Sequence, residues 1–379
     1  MEPETTPTIA TTPRERRQFD SAYQVLADAI AARAFPGCAF GVIVDREVVL
    51  QDALGRFTYD EDASPVTAKT IFDVASLTKV VATTAAVMLL YQRGQIDLNL
   101  PLGELLPAFV IGRGPGELAH KVRLRHLLAH NSGLPGYVEF FRSITTPAGL
   151  LRACLELKLE GEPGARAEYS DPGFILLGKA LEVLIQESLA DWVAKQIFEP
   201  LALSSTFFCP ARQLEPLIPP TEEDIKFRHR RIQGEVQDEN ACVLNGAAGH
   251  AGLFSNVPDL LRFSGAILAA LDPEARPGMS PLFEGSTIEH FAERQEPRGS
   301  SRALGWDTPS PNSSAGTYFS PHSIGHLGYS GCSLWIDLEV RVAVVLLTNR
   351  TWPDRQSQLI RQVRPAFHNA VRESISSYK

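Results

Sequence analysis

Cysteine is scarce in this chain of 379 residues, and the five present, Cys38, Cys154, Cys209, Cys242 and Cys332, are scattered and never spaced C-x-x-C. An odd, dispersed set suggests neither a disulfide framework nor a thiolate metal site, and it fits a reducing cytoplasm. Positive charge is also in short supply: 36 Lys and Arg against 44 Asp and Glu leave a net charge of -8, which argues against a nucleic-acid surface. The one dense basic run, Arg228 to Arg231 (RHRR), reads as a solvated loop. Long apolar runs are missing too. The most apolar segment follows Ser76, but Lys79 and Thr83-Thr84 interrupt it, so it is expected to be a buried core helix rather than a membrane span. The opening residues, MEPETTPTIATTPRERRQ, lack the apolar core of a secretory signal, again pointing to the cytoplasm.

Several motifs of other chemistries are absent or broken. His126 and His130, and likewise His322 and His326, stand four apart as metal ligands can, yet no HExxH or acidic partner accompanies either pair, so no metal and no other cofactor is expected. GRGPGE at 112 to 117 lacks the Lys-Ser/Thr of a phosphate loop, and GYSGC at 328 to 332 has cysteine where a nucleophile elbow needs glycine.

What is present is enough apolar residue, 44% of the chain, for a large core in a soluble globular protein. After a disordered tail over residues 1–13, a helix is expected through ERRQFDSAYQVLADAIAARA, then an antiparallel hairpin of GCAFGVIV and EVVLQDALG turning at Asp45-Arg46. A second strand pair, SLWIDLE and VRVAVVLLTNR, lies near the other end, before a terminal helix from about Asp354 to Ser374. Between them, TPAGLLRACLELKLE, PGFILLGKALEVLI and DLLRFSGAILAALD carry helical spacing. The expected fold is mixed α/β (α+β): a central antiparallel sheet formed from both chain ends, flanked by helices, with an inserted mostly helical lobe. Residues 14–379 would form one module, its α/β lobe about 14–75 and 300–379 and its helical lobe about 76–299.

Within FDVASLTKVVATTAAVMLLYQRG, Ser76 and Lys79 are three residues apart, which sets both side chains on one face of a helix. A lone S-x-x-K is weak, as Ser376-Ser-Tyr-Lys379 shows at the extreme C-terminus, where no helix can follow. The copy at Ser76 opens an apolar helix, and burying a lysine beside a serine hydroxyl is expensive without a purpose. Two further stretches add to it: Tyr169-Ser170-Asp171 immediately before an apolar helix, and His326-Leu327-Gly328 expected immediately before a strand.

In the order S-x-x-K, Y-x-[ND], [KH]-x-G, these motifs resemble the serine β-lactamase and penicillin-binding protein superfamily, most of all class C β-lactamases and family VIII carboxylesterases. RHLLAHNSGLPGY and GWD at 305 to 307 resemble the family's other signatures. GEVQDENACVLNGAAGHAGLFSNVPDLLRF is similar to a branch that includes muropeptide-recycling N-acetylmuramoyl-L-alanine amidases. The resemblance implies a serine hydrolase that cleaves an ester or amide through a Ser76 acyl-enzyme, with β-lactam or D-Ala-peptide hydrolysis as the alternative and a catalytically weak peptidoglycan-fragment binder or scaffold as a third. Its partner is then a small-molecule substrate, with no nucleic acid and no membrane span; the oligomeric state is open.

The same resemblance implies the roles. Ser76 is the nucleophile, and Lys79 and Tyr169 are the candidates to take its proton. Asp171 stands where class C enzymes usually carry Asn; a carboxylate there would hold Lys79 as ammonium, which would lower the Tyr169 pKa and favour Tyr169 as base. Backbone N–H groups of Ser76 and Tyr329, the latter expected on the strand, form the oxyanion hole. Gly328 lets backbone approach the substrate, and His326 is expected to donate to substrate or to Tyr169. Leu327 replaces the usual threonine, whose hydroxyl helps hold a substrate carboxylate, and so favours a less acidic acyl donor. Asp238, Glu239 and Asn240 are either cleft-lining or solvated-loop residues.

Overall fold

The computed structural model describes residues 13–272 and 281–376. The expected tail lies outside these apart from Pro13, which opens a short helix, and so does Lys379 of the C-terminal S-x-x-K. Helix α1 (Asp20–Ala31) leads into strands β1 (Gly37–Val44) and β2 (Glu47–Gly55), which turn at Asp45-Arg46. Near the C-terminus come β5 (Ser323–Leu327), β6 (Ser333–Asp337), β7 (Val342–Thr348) and the last helix α6 (Ile360–Ser376). These five strands form one antiparallel sheet in the order β2-β1-β7-β6-β5, so both chain ends build it as expected.

The side-chain alternation of the central strands explains why both faces are covered. Phe40, Val42, Val344 and Leu346 point to one side, where they pack with Tyr23 and Leu26 of α1 and Phe367 and Val371 of α6. Ala39, Ile43, Ala343, Val345 and Leu347 point to the other, into the larger apolar cluster that reaches Val257, Leu261 and Val80. Each such fully buried large apolar side chain contributes about 1.5–3 kcal/mol.

The second face carries the site. Over it lie α5 (Val257–Ala270) and the helical segment ending in α2 (Ala85–Gln92), with α3 (Pro147–Glu156) and α4 (Asp171–Ile185) beyond. A small sheet, in which β3 (Phe72–Asp73) pairs with β4 (Leu253–Ser255), delivers the chain to Ser76. Among the described residues no helix is long and apolar enough to cross a membrane.

Candidate active site

The turn before Ser76 is tied on all sides. Val74 N–H donates to Leu253 O at 3.1 Å, and Asp73 accepts the N–H groups of Ala75 at 2.8 Å and Gln237 at 2.7 Å. Burial pushes the Asp73 carboxyl up to about 6 despite those two donors. Ala75 is held at φ +47°, a left-handed conformation that costs a β-carbon-bearing residue on the order of 1–3 kcal/mol and persists only where the surroundings enforce it. From there the chain makes one 3-10 turn (Ala75–Leu77) and wide π-type turns (Lys79–Thr84) before settling into α2. The expectation of one regular helix from Ser76 is therefore corrected. The wide turns have a partner from a distant segment: Lys79 and Thr83 donate to the successive carbonyls of His250 and Gly249, at 3.0 and 2.7 Å.

Lys79 is fully buried, and its Nζ donates to Ser76 Oγ at 3.0 Å, Asp171 Oδ1 at 2.7 Å and His250 O at 3.0 Å. Three acceptors use all three protons of an ammonium group, and a neutral amine could not serve them all. Burial pulls the Lys79 pKa down, but the Asp171 carboxylate and then the Tyr169 phenol outweigh it, and the net direction is upward.

Tyr169 sits one residue before the cap of α4. Ser170 Oγ accepts the Gly173 N–H at 3.1 Å, while Ser170 donates its hydroxyl to Pro135 O at 2.7 Å and its N–H to His130 Nδ1 at 3.0 Å. This fixes the Tyr169 ring against the His130 imidazole (centroids 4.4 Å apart), with Lys79 Nζ at 4.8 Å and the Arg302 guanidinium at 5.2 Å from its centroid. The phenol interacts with both Ser76 and Lys79, and both pull its pKa down. Burial is larger, and with Asp171 it carries the net shift upward, so the expected lowering of the Tyr169 pKa by Lys79 is real but outweighed.

His326, Leu327 and Gly328 end a strand rather than precede one. The edge strand β5 escapes the sequence pattern because its five residues, SIGHL, carry a central glycine; a Cβ at Gly325 would lie 2.3 Å from the Trp335 ring. Tyr329 lies in the turn between β5 and β6, not on a strand. A Cβ on Gly328 would meet Val74 O at 2.5 Å, so this glycine lets β5 close onto the turn before Ser76. Gly328→Ala is expected to cost about 1–3 kcal/mol by overpacking, read as a lower midpoint in urea unfolding. His326 is buried, and its Nδ1–H donates to Leu327 O at 2.9 Å, which leaves Nε2 without a partner among the described residues. Burial, Lys79 and Arg302 all hold its pKa well below the usual value. A neutral imidazole with its one proton spent on its own backbone accepts rather than donates, contrary to the expected donor role.

The flanking acidic residues are not a solvated loop. Asp238 pairs with buried His250 (3.0 Å), Glu239 is buried against Arg355 (2.8 Å), and Asn240 bonds to Val138 O and the Phe141 N–H. Arg228 of the basic run is likewise enclosed, on Asp224 at 3.0 Å, whereas Arg230 and Arg231 are exposed. The two His-x3-His pairs do not act as pairs: His126 Nδ1 accepts the Arg123 N–H, His130 supports Tyr169, and His322 is exposed.

Sequence reasoning thus reached Ser76, Lys79, Tyr169 and Asp171, which the fold gathers around one ammonium group, and His326 to Tyr329, which border them. It missed Asp73, His130, His250 and Arg302. His250 and His130 lay inside motifs already visible, GHAGLFS and RHLLAHNSGL, but a carbonyl acceptor and a stacking ring leave no signal in spacing.

Known proteins share this arrangement of chain. The family described as Beta-lactamase matches residues 22–365. A protein of Salmonella typhimurium provisionally named D-alanyl-D-alanine carboxypeptidase is 30% identical over 351 residues, 83% of this chain and 79% of the relative. Among solved structures, EstCE1, a hydrolase with promiscuous acyltransferase activity, superposes with a TM-score of 0.73 at 19% identity, over 94% of this chain and 100% of its own. The octameric penicillin-binding protein homologue from Pyrococcus abyssi gives 0.71 at 21% identity, over 95% of this chain and 77% of its own. At those identities the two structures speak for the fold, while the family match and the Salmonella relative reach further: this chain belongs to the Beta-lactamase family, as a serine hydrolase.

Proposed function

We propose that the protein cleaves an ester or amide through an acyl-enzyme on Ser76, with Tyr169 moving the protons and Lys79 fixed as ammonium. The observation that carries this is the saturation of Lys79. Its three protons are committed, one of them to Ser76 Oγ, so the serine's own proton is free to turn to the Tyr169 oxygen, the other group its hydroxyl meets. A phenol whose pKa is raised is a poor standing base. It serves instead as a relay: as Oγ bonds to the carbonyl carbon, Tyr169 takes the serine proton and passes its own to the leaving group. After the leaving group departs with that proton, a water attacks the acyl carbon and gives a proton to Tyr169, the bond from that carbon to Ser76 Oγ breaks, and Tyr169 returns a proton to Oγ as the acid is released. The oxyanion is met by the N–H groups of Ser76 and Tyr329.

Substrate choice follows from Leu327, which offers no hydroxyl to a carboxylate, and favours ester and amide donors over penicillins. The name of the Salmonella relative favours a second reading, hydrolysis of D-alanyl peptides. Steady-state rates on a p-nitrophenyl ester, a D-alanyl-D-alanine peptide and a penicillin separate these: the ester is expected to turn over, and a penicillin hydrolysed faster than the ester would overturn the preference. Tyr169→Phe is expected to lower kcat on the ester by roughly 10²–10³-fold with little change in KM; full turnover in that variant would remove Tyr169 from the relay.

A further inference from the structure

Behind the Gly328–Gly331 turn lie two buried arginines that no motif announced. Arg364, on α6, donates from Nη2 to Gly328 O at 2.6 Å and Cys332 O at 2.8 Å, and from Nε to Gly331 O at 3.1 Å. Arg350, just past β7, donates from Nε to Tyr329 O at 2.8 Å and from Nη1 to Ser357 O at 3.0 Å, and its guanidinium lies 4.4 Å from the Tyr329 ring centroid. Their residues are 6% and 5% exposed. Among the described residues, neither meets a carboxylate within ion-pair distance; the hydrogen-bond partners of Arg364 are all backbone carbonyls, and Arg350 adds to its own carbonyl partners only the Tyr329 side chain. Burial lowers the Arg364 pKa to about 10, so it remains a cation at neutral pH.

A buried cation without a counter-ion is costly, and tying down a turn does not need one, because neutral amides form the same hydrogen bonds. The charge has another use. Gly328 C=O and Tyr329 N–H belong to one trans, planar peptide, so they point in opposite directions and share one electron system. A charge-assisted bond at the carbonyl end draws density from the nitrogen and strengthens its N–H as a donor. We propose that Arg364 is a positioning residue that polarises the Gly328–Tyr329 peptide, so that the Tyr329 N–H stabilises the oxyanion more strongly than a neutral backbone amide would. This rests on the reading of Ser76 as nucleophile and Tyr329 N–H as oxyanion donor.

Removing an oxyanion donor outright costs about 10²–10³ in kcat, so losing only its polarisation is expected to cost roughly tenfold. The test compares wild type, Arg364→Gln and Arg364→Lys, each acylated by p-nitrophenyl cinnamate. The readouts are kcat, KM and the infrared stretch of the acyl-enzyme carbonyl. For Arg364→Gln the proposal expects kcat about tenfold lower, KM within a few fold and a carbonyl stretch moved to higher wavenumber, with Arg364→Lys in between on both scales. A merely structural arginine would change thermal stability and leave the stretch where it is; an unmoved stretch in folded Arg364→Gln overturns the inference while the Ser76 reading stands. Should Arg364→Gln not fold, Arg364→Lys is read in its place with a smaller expected shift, and a stretch unmoved from wild type there overturns the inference. Absence of any acyl-enzyme in wild type would overturn the Ser76 reading, and this inference with it.

Discussion

Ser76→Ala is expected to reduce ester turnover by at least about 10³-fold, with KM little changed, because a nucleophile acts on the chemical step and hardly on binding. The size of the effect follows from the absence of a substitute. The nearest other hydroxyl on this turn, Thr78 Oγ1, is buried and spent twice, donating to Ala75 O at 2.6 Å and accepting the Leu253 N–H at 3.1 Å. Ser76, by contrast, is half-buried and accepts a bond from the Lys79 ammonium group at 3.0 Å. The variant should fold normally, since it removes one hydroxyl from a turn held by Asp73, Leu253 and Gln237. Steady-state kinetics beside a thermal melt make the check: lost turnover at unchanged stability supports a chemical role, and lost stability would recast Ser76 as structural.

Lys79→Ala should be nearly as severe in rate and far worse in stability. It strands Asp171, only 15% exposed at its side chain, and leaves the His250 carbonyl without its donor. Breaking a buried pair by removing one partner costs about 3–5 kcal/mol, which urea unfolding would read directly, and the loss of the group that orients Ser76 should cost about 10³ in kcat. Asp171→Asn tests the pair more gently. Its amide oxygen can still accept from Nζ, but the counter-charge is gone, so the Lys79 pKa must fall. The sign of the pH effect follows. In the wild type the folded pKa of Lys79 lies above its ordinary 10.5, so the stability it contributes is complete below that pH and is lost only as pH rises through the folded value. In Asp171→Asn burial is left to pull the Lys79 pKa below that of the unfolded chain, so the unfolded state binds the proton more tightly and stability, lower overall, should rise with pH across the mildly alkaline range where the wild type is flat. A pH series of melts for both proteins decides it; coincident curves would mean that Asp171 does not hold the lysine charged.

The parts of this molecule that sequence reveals are those encoded by local pattern. The β1–β2 hairpin and the β6–β7 pair were legible because alternating β-branched runs flank short polar turns, and Ser76, Lys79, Tyr169 and Asp171 because family motifs keep them at fixed spacing. What stayed hidden depends on contacts between distant segments. The π-type turns after Ser76 exist because Lys79 and Thr83 reach carbonyls more than 160 residues away. Strand β5 is too short and too glycine-dependent to read alone. The net direction of the Tyr169 pKa depended on weighing burial against a neighbouring charge, and residue identity supplies only the charge. His326 could be placed by motif, but its Nδ1–H is consumed by the carbonyl of the next residue, a fact of rotamer rather than of sequence.

The central claim is that Ser76 Oγ forms the covalent intermediate. Intact-mass spectrometry of the wild type and of Ser76→Ala after exposure to a fluorophosphonate, followed by peptide mapping, tests it most directly. The account predicts one adduct on the wild type, localised to the peptide containing Ser76, and none on the variant. Labelling that persists in Ser76→Ala, or that maps to another residue in the wild type, would contradict it.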